Sequence, residues 1–387
     1  EAPANSAMFA ASFTGPGAGQ MAVFVGNTQV SEAVGAGADG TYTMTVSAAD
    51  VLTLGGVEPN QAITLTAKFV GNTSMANGAG TVDINITAAA KVEKGGVTTY
   101  YTEFAEAWKK AQEGTAENPA TVTLLKDVTL TETLTVTSGQ NITLTSAKNS
   151  DGNDFTMNYA EESTSTYPAI EVNGGTFELK GGTINVDVEN GNGVSVKSDG
   201  TFKLTGGAIR VPGYGMIGVD VRSGGTVAIS GGAITADYGV RVQSRGTATI
   251  SGGTITADVQ GVYVVKGTAT ISGGTITADD RGVYVLRGTV TISGGTIEGT
   301  GGAIYTFSGT LLEMLGQTGG SPCAYWQGSG PVALTEGQNE LPAGTYTVQA
   351  CSHSCSHKYT HNNGTTHNRT CPACGKVLAE ENCSFGT

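Results

Sequence analysis

Positive charge is scarce in this 387-residue chain: 20 Lys and Arg stand against 33 Asp and Glu, a formal charge of −13. A phosphate backbone demands clustered Lys and Arg, so nucleic acid is not an expected partner, and neither is an anionic membrane surface. No apolar run reaches the roughly 18 residues of a spanning helix, so no membrane insertion is expected. Nothing at Glu1 resembles a secretion signal and no sorting motif closes the C-terminus, which reads as a fragment of a longer exported chain. Histidine and cysteine are nearly missing from the body of the protein. All four His and five of the six Cys fall in the last 37 residues. Thiol or imidazole chemistry therefore belongs to that tail.

Glycine, by contrast, is abundant, with 59 residues, and much of it is periodic. The motif Ile-Ser-Gly-Gly-Thr/Ala recurs with little change. Its first glycines are Gly181, Gly206, Gly231, Gly252, Gly273 and Gly294, spaced 25, 25, 21, 21 and 21 residues apart. A period near 20 residues marks a solenoid, in which each repeat buries its apolar face only against its neighbours. Each repeat reads as three short strands. Val262 and Val264 flank Tyr263, Ala269 and Ile271 alternate with threonines, and Ile276 and Ala278 alternate with Thr275 and Thr277. Alternation of period two sends successive side chains to opposite faces, and the Thr and Val content favours strands. The Gly-Gly pairs free the backbone at the corners.

Three strands per repeat describe one coil of a parallel β-helix, with equivalent residues stacked about 4.8 Å apart. Three interior ladders follow: Ile229, Ile250, Ile271 and Ile292; Ile234, Ile255, Ile276 and Ile297; Val219, Val240, Val262 and Val283. Hairpins would reverse the pattern between strands, and it never reverses. A leucine-rich horseshoe would need Leu where Ile and Val stand.

The expected fold is all-β in five parts. Residues 1–88 form an immunoglobulin-like β-sandwich, with strands at Met21–Val25, Thr41–Val46, Ala62–Phe69 and Thr81–Ile86. Residues 89–120 form a linker with one helix, Thr102–Glu113, N-capped by Thr102 and stopped at Gly114; Phe104, Ala105, Trp108 and Ala111 make its apolar stripe. Its assigned role is to cap the solenoid's open end. Residues 121–310 form the β-helix, with a polar loop or looser coil at 146–168. Residues 311–350 supply closing strands at Leu311–Leu315, Pro331–Leu334 and Thr345–Val348, and 351–387 form the Cys/His-rich tail.

Three stretches carry family resemblances. Met21-Ala-Val-Phe-Val, Asp39-Gly-Thr-Tyr-Thr-Met-Thr-Val, Ile63-Thr-Leu-Thr-Ala-Lys-Phe-Val-Gly-Asn and Gly80-Thr-Val-Asp-Ile-Asn-Ile resemble bacterial immunoglobulin-like domains of surface proteins, which act as spacers or adhesive units. Ala105-Glu-Ala-Trp-Lys-Lys-Ala-Gln with Ala120-Thr-Val-Thr-Leu-Leu-Lys-Asp-Val-Thr-Leu resembles the entry into pectin-lyase-like β-helices of Gram-positive surface proteins. That resemblance, with the coil length, implies right-handed winding. Cys355-Ser-His357, His367-Asn-Arg-Thr-Cys371-Pro-Ala-Cys374-Gly375 and Cys383-Ser-Phe385-Gly386 resemble small Cys/His modules at the ends of such proteins. Asn368 stands where those modules carry Trp, and Cys383 where they carry His.

Cys371-Pro-Ala-Cys374-Gly375 has zinc-knuckle spacing, and a tail this short needs a staple to fold. The expected ligands of a structural zinc are Cys355, Cys371, Cys374 and Cys383, with His357 or His367 as substitutes. Disulfides are the alternative outside the cell, and Cys323 with Cys351 could bridge in either scheme.

On the solenoid, the outward ladder of the first strand reads Glu171, Ser195, Asp220, Arg241, Tyr263, Tyr284, Tyr305. Asp220 beside Arg241 has the look of a β-helix enzyme site, but also of an ordinary surface ladder pair of small energetic worth. Tyr263, Tyr284 and Tyr305 could form an aromatic platform for sugars. Asp237, Asp258 and Asp279 repeat at one corner, either as polar turn residues or as a calcium site. The expected function is a non-catalytic, secreted or cell-surface structural or adhesive protein. It would act as a monomer and bind carbohydrate or a host surface protein through Tyr263, Tyr284, Tyr305, Asp220 and Arg241. The alternative is a β-helix polysaccharide lyase or glycoside hydrolase, which would need two carboxylates at a defined separation.

Overall fold

The computed structural model describes residues 8–14, 19–70, 80–160, 168–188, 191–316, 323–327, 330–332, 334, 337–350, 358–361, 366–371 and 377–382. The protein is all-β, with a parallel β-solenoid of about eight turns. It divides into two compact units, residues 1–128 with 146–155 and residues 129–145 with 156–387. Among the described residues no helix is long and apolar enough to cross a membrane.

In the first unit, Met8–Thr14 pairs antiparallel with Thr41–Ser47. A second antiparallel sheet joins Thr28–Gln29, Gln20–Val25, Ala62–Val70 and Thr81–Asn85. All four strands expected from alternation are present. The core between them gathers Met21, Val23, Tyr42, Met44, Val46, Ile63 and Leu65. It also takes Val51 and Leu52 from an unexpected helix, Ala48–Gly55. The Ser47 hydroxyl accepts from the Asp50 amide at 3.0 Å, and Gly56 ends the helix in the left-handed conformation at φ 62°.

The stretch 89–120 holds more than a helix. Ala90–Lys94 and Val97–Tyr101 form a hairpin around Gly95-Gly96, whose φ values of 59° and 76° fit a two-residue type I′ turn. Ala90–Lys94 pairs on its other edge, antiparallel, with Ala120–Leu124. The helix runs over Phe104–Ala111, shorter than expected. Its N-cap is Glu103, with no side-chain capping bond, rather than Thr102. Ala107, not Ala105, completes the buried stripe with Phe104, Trp108 and Ala111. The i, i+3, i+4, i+7 spacing explains the difference: Ala105 lies on the outer flank.

In the second unit the coils follow the repeat. The first strands include Pro168–Asn173, Asn192–Lys197, Ile217–Val221, Arg281–Val285 and Gly302–Thr306, paired parallel and in register. All three expected interior ladders form: Ile229 to Ile292, Ile234 to Ile297 and Val219 to Val283 are each direct register partners from coil to coil. Every member is buried. The ladders extend upstream through Leu204, Leu179 and Leu144, with Phe177 stacked on Phe202 beside them at 5.8 Å. Thr156–Tyr159 pairs with Thr183–Val186, so part of the polar stretch 146–168 is a regular strand.

The two glycines of each corner have different duties. A Cβ on Gly273 would strike the Ser251 carbonyl of the previous coil, so the first glycine permits close approach. Gly274 has φ 86°, so the second permits the bend itself.

Antiparallel strands end the parallel stack. Gly344–Ala350 pairs with Thr289–Gly299, and Glu340–Leu341 with Gly302–Thr306. Gly330–Val332 stands close to the expected strand at 331–334. Leu311–Leu315 is not a strand. Leu311–Met314 is a short helix opened by a capping box between Thr310 and Glu313, with Leu311 and Met314 buried. In the tail, Lys358–His361, Thr366–Thr370 and Val377–Asn382 form a three-stranded antiparallel sheet.

Candidate functional site on the first-strand face

The outward ladder has the register read from the repeat. Glu171, Ser195, Asp220, Arg241, Tyr263, Tyr284 and Tyr305 are successive partners, one per coil. Two residues further along each strand lies a second outward column, Lys197, Arg222, Gln243, Val265, Leu286 and Phe307, continued by amide-to-carbonyl bonds between coils. The face has an ionic half and an aromatic half.

In the ionic half, Asp220 is fully buried, although it was expected at the surface. Arg241 grips it through both nitrogens: Nε donates to Oδ1 at 3.0 Å and Nη2 to Oδ2 at 2.9 Å. Arg222 Nε donates to Oδ2 at 2.7 Å, and Gln243 Nε2 to Oδ1 at 2.8 Å. Burial pushes the Asp220 carboxyl up. The Arg241 bond and charge, helped by Gln243 and Arg222, outweigh it and hold the pKa below the usual carboxylate range. Arg222 and Gln243 were missed from the sequence. The available signal was their place two residues after Asp220 and Arg241, on the same face. Glu171, the next carboxylate up the ladder, is paired with Lys197 at 2.9 Å. The Ser195 hydroxyl between them is buried without a hydrogen-bond partner. Asp220 is held by Arg241, Arg222 and Gln243, and Glu171 by Lys197, so both carboxylates are already engaged, a poor state for a general acid.

In the aromatic half, ring centroids lie 5.4 Å apart for Tyr263 and Tyr284, and 5.6 Å for Tyr284 and Tyr305. Rings this close cannot lie side by side in one plane. They overlap along the coil axis, at 11° between planes for Tyr284 and Tyr305. The Arg281 guanidinium sits over Tyr305 at 4.4 Å and is paired with Glu340 at 3.2 Å. Tyr238 continues the strip upward at 6.0 Å and Phe307 closes it at 5.5 Å, 66% exposed. Tyr284 and Tyr305 therefore cover part of each other's faces, while Tyr263 is tilted by 46° to Tyr284. Burial first, then the neighbouring Tyr263 and Tyr305, push the Tyr284 phenol up.

The corner aspartates form a row, not a cage. Asp237 is buried and accepts from the Gly215 amide. Burial, then the charges of Asp237 and Asp279, raise Asp258 above the usual carboxylate range. Among the described residues no group of three or more His, Cys, Asp or Glu is arranged to hold a metal ion. In the tail, Cys371 is buried just after Thr366–Thr370, and His367 pairs with His361 in the strand register. Cys355, Cys374, Cys383 and His357 lie outside the described residues, as does Cys351.

Comparison with family models, curated proteins and solved structures finds no match.

Proposed function

We propose that this chain is a non-catalytic structural or adhesive protein of a bacterial surface, presenting the first-strand face as its contact surface. What carries this reading is the state of Asp220. The candidate catalytic carboxylate is buried, ionised and saturated by Arg241, Arg222 and Gln243. The near-identical coils and their glycine corners support it further, because short corners leave little chain to wall a cleft. The finer parts of the proposal rest on the resemblances. They are an immunoglobulin-like first module, right-handed winding, a capping role for the helix Phe104–Ala111, export by a Gram-positive bacterium, and a structural zinc in the tail. Right-handed winding also agrees with the strong preference of parallel crossover connections.

A glycan array probed with the wild type and with Tyr263→Ala/Tyr284→Ala tests the contact surface. Carbohydrate recognition by this face requires binding that falls at least about tenfold in the variant, about 1.4 kcal/mol of contact with the two side chains. Unchanged binding would remove the tyrosine strip from glycan recognition.

A further inference from the structure

The first-strand face is bordered by two charged rows of opposite sign. Asp258 and Asp279, both exposed, stand in successive coils at the corner before the strand. Arg245, Lys266 and Arg287, also exposed, stand at the corner after it. Among the described residues, none of these five side chains forms an ion pair within the chain. The charges between the rows are already satisfied, Arg241 by Asp220 and Arg281 by Glu340. What remains between the rows is the apolar strip of Tyr263, Tyr284, Tyr305, Val265, Leu286 and Phe307, half-buried except for exposed Phe307. Like charges stacked one coil apart repel, and a row of opposite sign laid against them would relieve that repulsion.

We infer that this face pairs with the same face of a second copy of the chain, with the two coil axes parallel. The inference rests on the reading of this face as a contact surface, and names its partner. Symmetry fixes the orientation. A two-fold axis running along the coil axis reverses the strand direction and keeps the stacking direction. It sets the aspartate row of one copy against the Arg/Lys row of the other, at both borders at once, and lays the apolar strip on itself. A two-fold axis along the strands would oppose like rows instead. The strip spans three coils of about 4.8 Å and about five residues of about 3.3 Å, roughly 240 Å² of flat area per copy. That is below the size of a stable specific interface, so the dimer is weak and reversible, with the charged rows at its borders supplying the selectivity. The monomer expected from the sequence is then the dilute form.

Sedimentation velocity on the full chain, with reductant present so that tail cysteines cannot cross-link copies, tests this between about 5 and 200 μM, the range in which so small an interface should act. The mass should rise from 39.1 kDa toward twice that value. Raising salt from about 50 to 500 mM should weaken association at least fivefold, because exposed rows are screened. Asp258→Lys/Asp279→Lys and Lys266→Glu/Arg287→Glu should each be monomeric, and an equimolar mixture of the two should dimerise. A wild type that stays at 39.1 kDa throughout would overturn the inference, as would a dimer strengthened by salt or unmoved by either exchange. None of these outcomes depends on glycan binding, so the inference and the glycan reading can fail separately.

Discussion

Asp220→Ala probes the ionic half of the face most sharply. The substitution removes the carboxylate that ties Ile217–Val221 to the next coil through hydrogen bonds from Arg241 and Gln243. Breaking a buried ion pair by deleting one partner costs roughly 3–5 kcal/mol. Arg241 and Arg222 keep side-chain exposures of 30% and 42%, so they rehydrate in part. About 2–3 kcal/mol is therefore the expected loss. In a solenoid the damage should stay near its origin, because each coil contacts only its neighbours. Urea denaturation gives the total, and hydrogen exchange should show faster opening at 217–242 than at 268–285. The pH dependence has a definite sign. In the unfolded chain an aspartate titrates near ~3.9. In the folded chain Asp220 titrates lower. The folded state thus holds that proton less readily, so the contribution of Asp220 is complete above about pH 4 and fades as pH falls through the folded pKa. The gap between wild type and variant should be full at pH 7 and shrink toward pH 3. A variant within about 0.5 kcal/mol of wild type at pH 7, the range of ordinary surface substitutions, would refute the buried lock.

Two further outcomes follow from the corners and the tail. Gly273→Ala should destabilise by about 1–3 kcal/mol, because its Cβ meets the Ser251 carbonyl of the neighbouring coil and backbone cannot step aside. Gly35→Ala, with open space around it and no left-handed φ, is the control and should be neutral within about 0.5 kcal/mol. Metal analysis of the purified full chain should find one zinc, lost in Cys371→Ser and on chelation. Absence of zinc together with absence of titratable thiols would instead establish disulfides.

The solenoid was legible because its signal is repeated. One misread residue in Ile229, Ile250, Ile271 and Ile292 would be outvoted by the rest, and a 21-residue period fixes the register of whole strands. The single-copy elements had no such support. The helix Ala48–Gly55 announced itself only through Ser47, Asp50 and Gly56, against a background of alternating strands. The hairpin Ala90–Tyr101 rested on Gly95-Gly96, and Leu311–Met314 on the box between Thr310 and Glu313. Their apolar residues are equally compatible with helix or strand over so few positions, so the caps and turns carried the distinction. At the site, the ladder order was readable but burial was not. Asp220 is outward by alternation and still buried, because Arg222, Arg241 and Gln243 fold over it. Long polar side chains set that outcome, and periodicity says nothing of where their ends go. The tyrosine spacing was likewise readable, but the overlap of the rings became apparent only from their separations and angles.

The claim that the chain is a scaffold and not an enzyme is tested most directly by product release. The purified chain incubated with pectin-like and other acidic and neutral polysaccharides should generate neither reducing ends nor unsaturated products above buffer. Release of either product, abolished in Asp220→Asn, would contradict the claim and make the buried carboxylate a catalytic group.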